Sequence, residues 1–379
     1  MFAVINLKSS GIDGAVSARN PQGLIEIKKI SKSGNLALPE PNLDSLWRKM
    51  KNEIKFLIAE LLSKKNISKA VVIFSSPWYF SEIRRVFEQR PDPIFFSKTF
   101  IDELLAKETE NFRKSAFAGL NLKKDEATVL DARILQARLN GYPVKDPEKN
   151  IIGKKARTLE LVLHLSAVFG EAEREIKNIL NERGVGEIMI ENSSYVLYKV
   201  LNQIGQDNIM VLNIDGEITE LAAVKDGEFL DAISFGRGLN FMARRLGTAL
   251  NLDINEALSV LENYINNKLE ASSAQNIKNS LKPALSDWEK LFAEALRHLS
   301  IRGRLPEKLL IVGPGAALSE FGQAAAGEIF KEYTIFGRPF SVFSGQPPEI
   351  KSLFANIGSV LSQPELTALN LFLTYENYQ

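Results

Sequence analysis

The sequence predicts an α/β protein made of two related halves, with a smaller α+β unit inserted into the first. Three observations carry that prediction. Near the N-terminus a helix with one apolar stripe feeds an uninterrupted apolar strand, as expected where both faces of a sheet are covered. In the middle of the chain a stretch of strict apolar/polar alternation asks for a sheet with one covered face. The order strand, tight turn, strand, helices then returns in the second half.

The elements follow in order. Phe2 to Leu7 and Gly14 to Ala18 read as opening strands. Leu43, Leu46, Met50, Ile54, Leu57 and Leu61 recur at three- and four-residue steps with Lys and Glu between them, which predicts a helix with one buried face. Ala70 to Phe74 reads as a buried strand stopped by Ser75-Ser76-Pro77. After the punctuation Arg90-Pro91-Asp92-Pro93 the pattern changes to a helix from Thr99 to Phe117, a long strand from Ala127 to Leu139, a turn at Asn140-Gly141-Tyr142-Pro143, and the alternation Leu159, Leu161, Leu163, Leu165. A helix from Glu171 to Arg183 closes this unit at Gly184.

The α/β pattern resumes with a strand at Glu187 to Ile190, a helix at Ser194 to Leu201, and a strand at Ile209 to Ile214 that meets the turn pair Asp215-Gly216. Thr219 to Val224 and Glu228 to Ser234 are its expected partners, joined at Asp226-Gly227. Residues 239–299 read as helical, with Ile277, Leu281, Leu285, Trp288, Phe292 and Leu296 as the longest buried stripe, and the strand Lys308 to Val312 ends in Gly313-Pro314-Gly315. The resulting division is 1–95 with 185–207 as the first subdomain, 96–184 as the inserted unit, and 208–379 as the second half, with a helical subdomain over 235–305.

Composition narrows the chemistry. The chain has 379 residues, 45% of them hydrophobic, which suits two or three globular domains. With 47 basic and 46 acidic residues the net charge is +1, so bulk charge makes no case for a nucleic-acid partner. There is no Cys, which excludes disulfides, thiol nucleophiles and Cys-based metal sites. The two histidines, His164 and His298, read as structural: His164 falls on the more polar side of an alternating strand, and His298 near a helix end. The N-terminus lacks the basic start and long apolar core of a signal peptide, and no apolar run reaches the ~18 residues of a spanning helix, so a cytoplasmic protein is expected. The segment after Lys351, with its apolar run from Leu369 to Tyr375, has no Lys or Arg and reads as a packed terminal element rather than a membrane anchor.

Several segments together resemble the bacterial actin-like ATPases of the FtsA/PilM kind over essentially the whole chain. They are Val72 to Tyr79, Leu139 to Pro147, Val211 to Leu221, Ser234-Phe235-Gly236-Arg237-Gly238, and Leu310 to Leu318. The resemblance implies an actin-like (duplicated ribonuclease H-like) fold with a small inserted domain, in which turns from both halves embrace the phosphates of ATP and Mg²⁺ is held through water. It carries the nucleotide-binding positions onto Asn6, Lys8, Ser9 and Ser10 in the first turn and onto Asn213, Asp215, Gly216, Glu217 and Thr219 in the second. Gly236, Gly238, Gly313 and Gly315 complete the set, with Asp215 as the Mg²⁺ carboxylate and Glu191 as the acid that positions water.

The chain departs from the family pattern in both turns. Where the family has Asp-x-Gly-Ser, this chain reads Asn6-Leu7-Lys8-Ser9; where the family has Asp-x-Gly-Gly, it reads Asn213-Ile214-Asp215-Gly216. Each acid has become an amide, and a carboxylate has been added beside the phosphate position, which is repulsive unless a metal intervenes. The family's ribose-contacting Glu and Lys fall on Leu258 and Leu261. These losses point to a pseudo-ATPase, since phosphoryl transfer rests on metal and electrostatic positioning. The opposing reading keeps an active ATPase or a sugar- or acetate-type kinase: Lys8 neutralises phosphate, Asp215 replaces the lost acid and Glu191 holds water. The plain reading of Glu191 and Asp215 is a solvated strand end and an ordinary Asp-Gly turn.

The functional expectation is therefore a cytoplasmic actin-fold adaptor of the cell-division machinery, acting through protein binding and self-association. A PilM-like adaptor of type IV pilus assembly is the alternative. Its expected partners are a tubulin-like division protein or the cytoplasmic peptide of a membrane protein, through which it reaches the inner face of the membrane without binding lipid itself.

Overall fold

The computed structural model describes residues 1–63, 67–120, 126–345 and 348–355. The apolar run from Leu369 to Tyr375 lies outside them. Two compact units are formed, one from Met1–Trp78 with Ile176 onward, the other from Tyr79–Glu175.

The larger unit opens with β1 (Phe2–Leu7), β2 (Ile12–Arg19) and β3 (Ile25–Lys32), an antiparallel meander. Helix α1 (Leu43–Leu61) follows, capped by Asn42, whose side chain accepts from Ser45 N while Ser45 Oγ accepts from Asn42 N. Its apolar stripe is buried at Leu46, Met50, Ile54, Leu57 and Leu61 as the spacing requires, but Leu43, at the helix's first position, is exposed. β4 (Lys69–Phe74) then runs parallel to β1.

The smaller unit starts with β5 (Tyr79–Phe95) and α2 (Lys98–Leu120), then β6 (Ala127–Val129), β7 (Arg133–Leu139), β8 (Tyr142–Pro143), the short α3 (Pro147–Asn150), and β9 (Lys155–Phe169). β9 is the spine, pairing with β5 on one side and with β6 and β7 on the other. The odd-numbered residues Leu159 to Ala167 pack with Phe96, Ile101, Leu104 and Phe112. Three expectations change here. The Pro91-Asp92-Pro93 run lies inside β5 at a register break between Gln89 and Ile94, because a proline is tolerated on an edge strand where no ladder N–H is needed. The strand expected from Ala127 to Leu139 is two strands. And His164 is buried, because from Leu161 to Val168 every residue of β9 is buried on both faces; burial, aided by the Arg133 charge, lowers its pKa to about 3.

The chain re-enters the larger unit through α4 (Gly170–Glu182), continuing with β10 (Glu187–Asn192) and α5 (Ser193–Gln203). β11 (Ile209–Ile214), β12 (Thr219–Lys225) and β13 (Glu228–Phe235) form a second antiparallel meander. Helices α6 (Leu239–Leu250), α7 (Ile254–Ile265) and α8 (Ala271–Leu299) resolve the region read as helical; the left-handed Asn251 and the Asp253 capping box separate the first two, and the left-handed Asn267 lies between the last two. β14 (Lys308–Val312), α9 (Ser319–Ala325), β15 (Ser341–Ser344) and the short α10 (Pro348–Lys351) complete the described chain. Trp288 is the hub of this half's core, stacked on Phe292 at 4.8 Å and tilted against Phe321 at 5.3 Å.

The strand orders are β3-β2-β1-β4-β10 and β13-β12-β11-β14-β15. In each sheet a three-stranded meander is extended on its first strand by two parallel strands, so the duplication read in the sequence is a repeat of topology. No helix among the described residues is long and apolar enough to cross a membrane.

Candidate functional site

The two central strands β1 and β11 end in equivalent four-residue turns, 8–11 and 215–218. Leu7 pairs with Ile12 and Ile214 with Thr219, and each turn is closed by the same bond, Lys8 N to Gly11 O (2.8 Å) and Asp215 N to Ile218 O (2.9 Å). Lys8 and Asp215 are thus counterparts in the two halves. So are Asn6 and Asn213, one residue from the end of each strand.

The counterparts behave oppositely. Lys8 folds back within its own half to pair with the buried Asp13 on β2 at 2.7 Å, so its charge is already matched. Asp215 reaches across to the other turn. Its Oδ2 accepts from Ser9 N (2.5 Å), Ser9 Oγ (2.8 Å) and Ser10 N (3.1 Å), and its Oδ1 accepts from Ser10 Oγ (2.5 Å). Ser9 Oγ in turn accepts from Glu217 N at 2.9 Å. Asp215 is 3% exposed, so the solvated Asp-Gly turn expected as the plain reading is not what forms.

Gly216 is required by this closeness: a Cβ there would lie 2.8 Å from Ser10 Cα and 3.0 Å from Asn240 Nδ2. A second layer encloses the first. Glu217, 6% exposed, accepts from Asn240 Nδ2 (2.9 Å) and, through both oxygens, from Arg244 (3.0 and 2.6 Å). Asn240 Oδ1 accepts from Asn35 Nδ2 at 2.8 Å, and Arg244 donates to Leu38 O at 3.0 Å. The loop after β3 is thereby tied to α6. A bidentate Arg–carboxylate pair with so little exposure is held by geometry as well as charge.

The remaining candidates divide. Gly238 N, Leu239 N and Asn240 N, the opening amides of α6, donate to the carbonyls of Glu217, Asp215 and Gly216 at 3.1, 2.9 and 2.8 Å. Gly238 is small because a Cβ would stand 2.3 Å from Asp215 O, whereas Gly236 is exposed and meets nothing. Gly313 and Gly315 pack on their own half: a Cβ on Gly313 would lie 2.5 Å from Asn213 Oδ1, and one on Gly315 2.2 Å from Ile214 Cγ2. Asn6 Oδ1 accepts from Ser75 Oγ at 2.9 Å. Thr219 faces away from the turns, donating to Arg237 O (2.6 Å) and accepting from Trp288 Nε1 (3.1 Å). Leu261 is buried in the second half's core and Leu258 packs against it.

Glu191 is in register with Ile73, which is in register with Asn6, so the three share one row and one face of the sheet. Two strand spacings put Glu191 about 10 Å from Asn6. At 2% exposure it is not a solvated strand end either.

A phosphate group does not fit this arrangement. The two amides and two hydroxyls of the first turn that would cradle one already bind a carboxylate, and the N-terminal amides of α6 are spent on the second turn. A phosphate beside Asp215 would add like charge in a buried place. Among the described residues no three His, Asp or Glu side chains are grouped to hold a metal ion. Sequence reasoning missed Asn35, Asn240 and Arg244. The signal was present in α6, where Asn240 and Arg244 stand at i and i+4 on a helix whose buried residues are otherwise apolar or glycine, Leu239, Phe241, Met242, Ala243, Leu246 and Gly247.

No protein-family model matches the chain, and no curated protein matches it. Solved structures do. The PilM–PilN type IV pilus biogenesis complex contains a chain 16% identical, with 98% of each chain covered and a TM-score of 0.65. A Bacteroides thetaiotaomicron protein with actin-like ATPase fold and unknown function is 11% identical over 97% and 95% of the two chains, TM-score 0.46. MreB 5 of Spiroplasma citri bound to AMPPNP is 11% identical over 99% and 95%, TM-score 0.44. The chain has the actin-like ATPase fold.

Proposed function

We propose that this protein is a nucleotide-independent adaptor of the actin-like fold, a pseudo-ATPase whose work is to bind the cytoplasmic segment of a membrane protein in a pilus-type assembly. The observation that carries the reading is the Asp215 carboxylate seated on the Ser9 and Ser10 donors, which joins the two halves with the chain's own anion. A body closed this way needs no nucleotide to hold its halves together, and its surface is available for protein contacts. The likeness to the pilus complex spans 98% of both chains, which favours a pilus-type adaptor over the division adaptor expected from the sequence.

Calorimetry tests this in two titrations of the full chain. Mg-ATP should give no binding heat up to about millimolar concentration, and peptides copying the cytoplasmic segments of pilus-assembly membrane proteins should bind with roughly micromolar Kd, unchanged by ATP. Micromolar nucleotide binding, or hydrolysis abolished by changing Asp215 or Glu191, would restore the enzyme reading. Binding to a tubulin-like protein in place of every such peptide would restore the division reading.

A further inference from the structure

The second half carries a surface that neither the turns nor the adaptor reading uses. Residues 297–304, at the end of α8, lie beside residues 328–338, bonded through Leu305 N to Tyr333 O (2.7 Å) and Ile335 N to Leu305 O (2.9 Å). On these two neighbouring segments stand four exposed large apolar side chains: Ile301 (75% exposed), Phe336 (73%), Ile329 (67%) and Ile335 (39%). Single exposed apolar residues need no explanation, but four on adjoining segments do.

Charge is concentrated in the same place. The two segments hold five basic residues, Arg297, Arg302, Arg304, Lys331 and Arg338, against two acids, Glu328 and Glu332, a local excess of three in a chain whose net charge is +1. All five basic side chains belong to exposed residues. Lys331 pairs with Glu328 at 3.1 Å, and His298 faces Asp231 at 3.6 Å. The Lys225 ammonium also lies beside Gly303. Between the segments opens a cavity of about 520 Å³ lined by Arg297, Ser300, Gly303, Arg304, Glu332 and Tyr333.

We infer that this face docks on an anionic lipid surface. Ile301, Ile329 and Phe336 supply apolar side chains on short exposed segments, the arginines around them meet anionic headgroups, and the cavity takes one phosphate headgroup between Arg297 and Arg304. Apolar burial and basic attraction acting together are what peripheral membrane binding requires, since neither is sufficient alone. The sequence expectation of no direct lipid contact looked for basic charge in the residues after Lys351; the charge sits on the folded body instead.

Vesicle flotation of the full chain tests this. The protein should float with phosphatidylglycerol/phosphatidylcholine vesicles and not with phosphatidylcholine alone, and salt should weaken the binding. Phe336→Ser and Ile301→Ser should each lower the partition coefficient roughly tenfold, and Arg302→Glu several-fold, with circular dichroism and melting temperature unchanged. Flotation that survives all three substitutions would overturn the assignment, as would no flotation of the unaltered chain. Complete displacement by soluble glycerol phosphate, with Phe336→Ser silent, would also overturn it, by showing a free-anion site.

Discussion

If the Asp215 carboxylate holds the two turns together, Asp215→Ala should loosen the junction by a calculable amount. The substitution strips partners from two buried backbone amides, Ser9 N and Ser10 N, and from two hydroxyls that can rotate to other acceptors. Each amide should cost about 1–1.5 kcal/mol and each hydroxyl about 0.5–1. Relief from burying a charge returns roughly 1–2 kcal/mol. The net loss is about 1–4 kcal/mol, centred on about 2–3, a large share of the ~5–15 kcal/mol of a typical domain. Hydrogen exchange reads it locally: protection of the Ser9 and Ser10 amides should fall roughly 30- to 150-fold, since 1.4 kcal/mol is about a factor of ten. The variant also gains an empty nest of donors, so acetate or inorganic phosphate should raise its melting temperature and leave the unaltered protein's unchanged. Stabilisation at ten times Kd would be about 1.4 kcal/mol. Unchanged exchange of both amides, or equal anion effects on the two proteins, would refute the cross-turn role of Asp215.

Two further outcomes follow from the same structure. His164 is held neutral, its pKa lowered by burial and by Arg133 to about 3 against an ordinary 6.5, so the unfolded chain binds the extra proton first as pH falls. Stability is therefore full above pH 6.5 and lost progressively between 6.5 and 3; at pH 5 the loss is roughly 2 kcal/mol relative to pH 7, and urea midpoints of His164→Gln should lack that increment. Gly313→Ala should destabilise the fold by about 2–4 kcal/mol in any ligand state, because φ is +88° and the new Cβ would press Asn213 Oδ1 at 2.5 Å and Ile214 O at 2.7 Å. A melting temperature within a degree of the original would show that this glycine serves a ligand rather than the chain's own packing.

Much of the fold was legible because its elements announce their periods. The stripe of α1 and the apolar run of β4 each match one template, and the Asp-Gly pairs mark the hairpin ends. β3 was missed for a physical reason. Its isoleucines fall at 25, 27 and 30, and the slip between Val16 and Ser17 leaves Lys28 as an extra residue that shifts the alternation by one. Ile30 is thereby returned to the side of Ile25 and Ile27, which a strict period of two hides. β5 has no counterpart in the sequence reading, where Pro91 and Pro93 read as punctuation, whereas an edge strand accepts them. The two turns were located correctly from their order along the chain, but their contents were not legible. Nothing in Asn-Leu-Lys-Ser or Asn-Ile-Asp-Gly says which charged side chain turns inward and which crosses over.

That choice has a structural cause. Both Lys8 and Asp215 occupy the first position of the same turn, so the backbone offers each the same options. Lys8 finds an acid one strand away, because Asn6 pairs with Asp13 on β2 and the ammonium needs to reach only that neighbouring carboxylate. The counterpart of Asp13 in the second half is Glu220, which pairs with Asn213 and accepts hydrogen bonds from Ser193 and Ser234. It offers Asp215 repulsion instead of a partner. Asp215 is left to seek donors elsewhere, and the nearest unspent set is the amide nest of the opposite turn. Asp215 thus acts as an internal anion: the same carboxylate occupies the Ser9 and Ser10 donors and closes the two halves onto each other. A double substitution exchanging the residues, Lys8→Asp with Asp215→Lys, would place an acid next to Asp13 and a cation over the Ser9 and Ser10 amides, and should unfold the junction rather than mirror it.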